Sequence, residues 1–242
     1  MKRNLMLASL ALLAGSLLAA DSSPKDDVKA AAKALAGKAN YSWKTTVAVE
    51  GGGGGGRFRP GPTEGKTEKD GNTFLSMTRG DNTIEALLKG GKGAVKTEDG
   101  WKSLTEATAD DGGGQFNPTR FLARMLQNYK VPAAEAEDLA GKTKELKSSE
   151  GVIGGDLTEE GAKGLLSFRP PGGGDGPEVS GAKGSTKFWL KDGALAKYEF
   201  HVEGTISFNG NDREVNRTTT VEIKDVGTTK VAVPAEAAKK LE

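Results

Sequence analysis

Few residues in this chain could carry acid–base or nucleophilic chemistry. His201 is the only histidine, and it stands between Glu199 and Glu203 in a run of alternating residues. It could relay a proton there, or it could sit solvated on the polar face of a strand. A Ser-His-Asp triad would have to be built on His201, and no Gly-x-Ser-x-Gly elbow accompanies it. The chain has no cysteine, so zinc sites assembled from His and Cys are not available. The pairs Asp110–Asp111 and Glu159–Glu160 fit a loop and a helix start, where negative charge favours the N-terminal end of the helix dipole. A glycosidase also needs two carboxylates, but no spacing here specifies one. The expectation is a protein that is not an enzyme, with no catalytic residue, no cofactor and no metal.

Three short motifs read better as structure than as sites. Ala136 to Thr143, ending in Gly141-Lys142-Thr143, satisfies a loosened phosphate-loop pattern. A working loop wraps backbone N–H groups around phosphate between a buried strand and a helix, whereas Ala133 to Ala140 already looks helical. Gly65-Lys66-Thr67 fails the pattern because Pro60 occupies its first glycine. Arg79-Gly80-Asp81 matches a tripeptide read by adhesion receptors, but Gly and Asp between two strands make a turn. Asn40-Tyr41-Ser42 and Asn216-Arg217-Thr218 match the glycosylation acceptor and fall at or within strands.

The elements that position these residues are mostly strands. Tyr41, Trp43, Thr45, Val47 and Val49 alternate with Ser42, Lys44, Thr46 and Glu50, the period of a half-buried antiparallel strand. Short strands follow at Asn72–Thr78, Thr83–Lys89 and Gly93–Glu98, and Asp99-Gly100 turns the chain into Trp101–Thr105. Thr186–Lys191 meets Asp192-Gly193, a dipeptide suited to tight hairpins, and returns as Leu195–Phe208. Along it Tyr198, Phe200, Val202, Ile206 and Phe208 share one face, and Lys197, Glu199, His201, Glu203 and Thr205 share the other. After Asn209-Gly210-Asn211-Asp212, Arg213–Val226 continues with Val221 and Ile223 on its apolar side.

Helices are fewer. Asp26–Leu35 is alanine-rich. Asn117 followed by Pro118 is a cap and first helical position, with Phe121, Leu122, Met125, Leu126 and Tyr129 at helical spacing and Pro132 as the stop. Thr158 with Glu159 and Glu160 opens another helix toward Leu165 and Leu166. Together these make one α+β domain around a large antiparallel sheet.

The chain of 242 residues opens with Lys2 and Arg3, an apolar run from Leu5 to Leu18, and Ala19-Ala20 before Asp21. That is the layout of a secretory leader, shorter in its apolar run than the roughly 20 residues of a spanning helix. Cleavage after Ala20 and a periplasmic or secreted location are expected, with residues 21–242 forming a single domain and no transmembrane segment remaining. Losing the two leader cations leaves 32 basic against 33 acidic residues, a balance that argues against a nucleic-acid partner. Glycine-rich loops are expected at 51–62, 112–115 and 172–176.

The order of elements resembles the periplasmic lipoprotein carriers LolA and LolB and the related mycobacterial lipid-binding lipoproteins. Tyr41-Ser42-Trp43 supplies the aromatic first strand, Asp99-Gly100-Trp101 a tryptophan after a tight turn, and Thr186-Lys187-Phe188-Trp189-Leu190 the long closing strands. Val231-Ala232-Val233-Pro234 resembles their ending. The resemblance implies a curved half-barrel sheet, a few short helices covering its concave side, and an apolar cavity for acyl chains. Its wall would be Tyr41, Trp43, Val47, Phe74, Tyr198, Phe200, Val202, Ile206 and Phe208. The same aromatic rows could form an ordinary core under a sheet. The partners to consider are a lipid or acyl chain, or an envelope protein if the core is dry. The chain departs from the lipoprotein members in lacking a lipid-bearing cysteine.

Overall fold

A computed structural model describes residues 22–50, 61–80, 82–109, 117–167, 176–208 and 210–242. The expected leader and most of the three glycine-rich stretches lie outside these residues, as does Asp81. Eleven strands among the described residues form one antiparallel sheet. In chain order these are β1 (Asn40–Val49), β2 (Thr63–Glu68), β3 (Thr73–Arg79), β4 (Asn82–Lys89), β5 (Lys92–Thr97) and β6 (Gly100–Ser103). They continue as β7 (Lys147–Ser149), β8 (Val152–Asp156), β9 (Glu178–Lys191), β10 (Ala194–Phe208) and β11 (Asn211–Lys224). Spatially the sheet runs β6-β5-β4-β3-β2-β1-β11-β10-β9-β8-β7, so β1 pairs with the last strand and the sheet stays open at both edges. The architecture is an α+β half-barrel.

Local chemistry sets the strand ends. Asp192 and Gly193 both take positive φ, 52° and 72°, the geometry that matches a two-residue hairpin to the twist of its strands. The register that follows places Tyr198 opposite Phe188 on β9 and Val221 on β11. Because side chains alternate, every residue in that row faces the same side of the sheet.

Six helices accompany the sheet among the described residues. They are α1 (Pro24–Ala36), α2 (Leu104–Ala109), α3 (Pro118–Gln127), α4 (Pro132–Lys142), α5 (Glu159–Leu166) and α6 (Ala235–Lys239). Ser23, Asn117 and Thr158 cap α1, α3 and α5 by accepting from the N–H groups of Asp26, Arg120 and Gly161. The expected starts at Asn117 and Thr158 thus appear as caps. Pro132, expected as a stop, instead opens α4, since proline fits the first turn as well as it ends a helix.

Helices α1 to α5 pack with the concave face in one cluster that includes Val28, Leu35, Trp43, Leu75, Leu139, Phe188, Tyr198 and Val221. The last helix, α6, goes to the other side, where Ala237 joins Leu87, Ala94 and Trp101, with Phe74, Val231 and Leu241 packed against them. No helix among the described residues is long and apolar enough to cross a membrane.

Candidate functional site

The concave face divides into a fully buried inner half and an outer half whose side chains are only partly buried. In the inner half Tyr41 and Trp43 on β1 are buried, with ring centroids 5.7 Å apart at 47°. The indole lies directly over Gly65 of β2: a Cβ built there would fall 2.1 Å from Trp43 Cε2. Glycine is what lets the ring sit down on the sheet. On the other side of β11, Tyr198 is fully buried and stacks on Phe188 at 6.4 Å and 29°.

Among the described residues one carboxyl, partly buried, reaches this interior. The Tyr198 hydroxyl donates to Glu135 Oε2 from the first turn of α4. Burial pushes the Glu135 carboxyl above the ordinary glutamate value; the Tyr198 hydrogen bond opposes the rise and the charge of Asp138 adds to it. Burial likewise raises Tyr198, with the nearby Glu135 charge next in effect, and raises Tyr129. Tyr41 is pushed up to about 12, again mainly by burial. Its hydroxyl approaches the Ala133 backbone, and the Trp43 N–H approaches Tyr129, yet both fall short of hydrogen-bond geometry. The Tyr198–Glu135 bond ties α4 to the sheet.

A raised carboxyl pKa has a definite sign in stability. The folded state holds the Glu135 proton more tightly than the unfolded chain, so stability falls as pH rises from the ordinary value through the raised one. Glu135→Gln keeps an acceptor for Tyr198 and removes the charge. The variant is expected to unfold at a higher temperature than the parent at neutral pH, with the gap closing below pH 4.5, the ordinary value. Thermal unfolding across pH checks this, and a pH-independent gap would contradict it.

Toward the outer ends of these strands burial decreases. Val47, Val179, Ile206 and Val215 are half-buried, and Val49 is 40% exposed. In this row Arg217 has Val49 and Val202 as its cross-strand partners. Its Nη2 donates to the Leu165 carbonyl at the end of α5, at 2.8 Å.

The residues expected to line a cavity therefore separate. Tyr41, Trp43, Tyr198, Phe200 and Val202 are buried in the concave cluster, Ile206 packs at its margin, and Val47 lies on the same face further out. Phe74 faces the other way. Its neighbour Leu75 takes the concave position, and strand alternation sends Phe74 to the α6 side. Phe208 ends β10 opposite Asn211, and its side chain lies outside the described residues. Glu135, Tyr129 and Arg217 were absent from the expected wall. For Arg217 a signal existed: it interrupts the column Val215, Thr219, Val221 and Ile223, where an apolar or small residue would be expected.

The chemical motifs resolve as structure. His201 is half-buried on the convex face, with Nε2 2.9 Å from Asn216 Oδ1. Ala136 to Lys142 is helical, Lys142 pairs with Asp138 at 2.7 Å, and Thr143 is buried 3.0 Å from the Thr186 hydroxyl. Among the described residues no three His, Cys, Asp or Glu side chains gather as a metal site would require.

No family model and no curated protein matches the chain. Among solved structures it is similar to the Mycobacterium tuberculosis lipoprotein LppX, with a TM-score of 0.43 and 11% identity over 87% of this chain and 98% of that one. It is also similar to LprF from Mycobacterium bovis, with a TM-score of 0.41 and 11% identity over 89% of this chain and 100% of that one. A LolA superfamily protein from Nitrosomonas europaea follows at 0.32 and 8%, over 87% and 96%. These are likenesses of chain course. What this chain binds has to be read from its own side chains.

Proposed function

We propose that this chain is an exported carrier or binder of lipid, acyl chains or lipoproteins in the cell envelope. The observation that carries the reading is the outer half of the concave face. Apolar side chains continue there from Val49 across Val215 to Ile206 and Val179, and they are only partly covered. Apolar surface left half open beside a finished core is what an acyl chain would cover.

A fluorescent fatty acid titrated into the protein tests this. Saturable binding is expected, and Val179→Asp, which puts a charge on the strip at a half-buried edge position, is expected to weaken it about tenfold. Unchanged affinity in that variant would remove the strip from the binding surface.

A second reading has its own observation. The inner half is packed solid around Tyr198 and Phe188, as in a protein whose core is dry and whose partner is another envelope protein. Cross-linking in the intact envelope to one partner, with no fatty-acid binding by the purified chain, would favour it.

A further inference from the structure

Packing leaves Arg217 unexplained. It is a half-buried cation on the concave face of β11, in a column that otherwise runs Val215, Thr219, Val221 and Ile223, with Arg213 exposed at its outer end opposite Ile206. A guanidinium carries five N–H donors. The Leu165 carbonyl accepts one from Nη2 at 2.8 Å, and Nε is sealed from solvent with no acceptor. No carboxylate among the described residues forms an ion pair with it. The convex face is different: Lys183 pairs with Glu203 at 2.8 Å and Lys187 with Glu199 at 3.8 Å. A half-buried charge without a counter-ion is unfavourable, and burial pulls the guanidinium pKa down.

We propose that Arg217 holds the anionic head group of a lipid whose chain lies along the outer strip. This deepens the lipid-binding reading and rests on it. A carboxylate or phosphate is the complement that a guanidinium fork engages with two parallel hydrogen bonds. The surroundings supply the rest of an amphiphile's requirements. Val49 and Val202 flank Arg217 across the sheet, and Val215 follows two residues along the same face. Toward the inner half the way is closed by Phe200, so a chain anchored at Arg217 runs outward over Val215, past the Leu166 side chain that lies over Gly204, to Ile206 and Val179.

Oleate and oleyl alcohol share one chain and differ in the head, and they make the test. The unmodified protein is expected to bind oleate about tenfold more tightly, the scale of a charge-assisted contact. Arg217→Met is expected to bring oleate down to the affinity of the alcohol, and Arg217→Lys to keep part of the preference. Because the methionine variant loses an unpaired charge, its unfolding temperature is expected to stay level or rise. Equal binding of both ligands by the unmodified protein would overturn the head-group role and leave the lipid reading standing. So would an oleate preference that survives in Arg217→Met. Binding of neither ligand would overturn both.

Discussion

Gly65→Val is expected to destabilise the fold by about 3 kcal/mol, the upper range for overpacking a filled site. The Trp43 ring occupies the space a side chain at 65 would need, with a Cβ falling 2.1 Å from the indole. Strand β2 is backbone on both sides at this point, paired with β1 and β3. The ring would therefore have to leave, and with it the contact to Tyr41. Trp43→Ala vacates the same space, so the double variant is expected to be less unstable than the two single effects added together. Chemical denaturation of the four proteins in the cycle measures this. Additive losses would mean that the indole and β2 do not share one site.

Phe188→Ala is expected to cost about 3–5 kcal/mol, the range for a buried aromatic replaced by alanine. For a chain of this size that lowers the unfolding midpoint by roughly 10 °C. Phe188 is fully buried and lies between Tyr198 and Ile153 in the register of β8, β9 and β10. No helix can fall into the gap without losing the bond from Tyr198 to Glu135, which fastens α4. A midpoint within two or three degrees (roughly 1 kcal/mol) would mean that the inner half yields and is not the rigid scaffold described here. Both substitutions lie away from the outer strip. Below their unfolding temperatures they are expected to leave fatty-acid affinity within about twofold, since distant sites act independently.

The parts of this fold that could be read in the sequence were those in which local pattern and tertiary role agree. Alternation in β1, β10 and β11 survives because one face of each is covered. The Asn117-Pro118 and Thr158 starts work through side-chain caps that need only their own helix. Other elements were hidden. Strand β2, with the sequence Thr63-Glu-Gly-Lys-Thr-Glu68, has no large apolar residue because Trp43 reaches over from its neighbour to cover it. The first part of β9 is interrupted by Gly181 and Gly184, which break the alternation that marks Thr186 onward.

Helix α2 was readable in principle. Trp101 to Thr105 suggests a strand, but the strand stops at Ser103 because a capping box takes over. Ser103 Oγ accepts from the Glu106 N–H at 3.1 Å, and Glu106 accepts from the Ser103 N–H at 2.7 Å. Lys240 then reaches Glu106 from the end of α6, and these contacts hold the Glu106 carboxyl down to about 2, Lys240 foremost.

The site was legible only as a column of side chains. Strand parity groups Tyr41, Trp43 and Val47 with Tyr198, Phe200, Val202 and Ile206, and the structure puts all seven on one face. Parity says nothing about where the roof ends, which depends on how α4 and α5 dock. The division into a filled inner half and a partly covered outer half, the partial burial of Glu135 and the lack of a counter-ion beside Arg217 among the described residues all follow from that docking.

Native mass spectrometry of the mature protein, followed by organic extraction of whatever it carries, tests whether the chain is a lipid carrier. The expected result is a chain beginning at Asp21 with an acyl-bearing species bound at defined stoichiometry, lost on extraction. A chain that emerges empty, and stays empty after incubation with anionic lipid vesicles, would contradict it and turn attention to a protein partner.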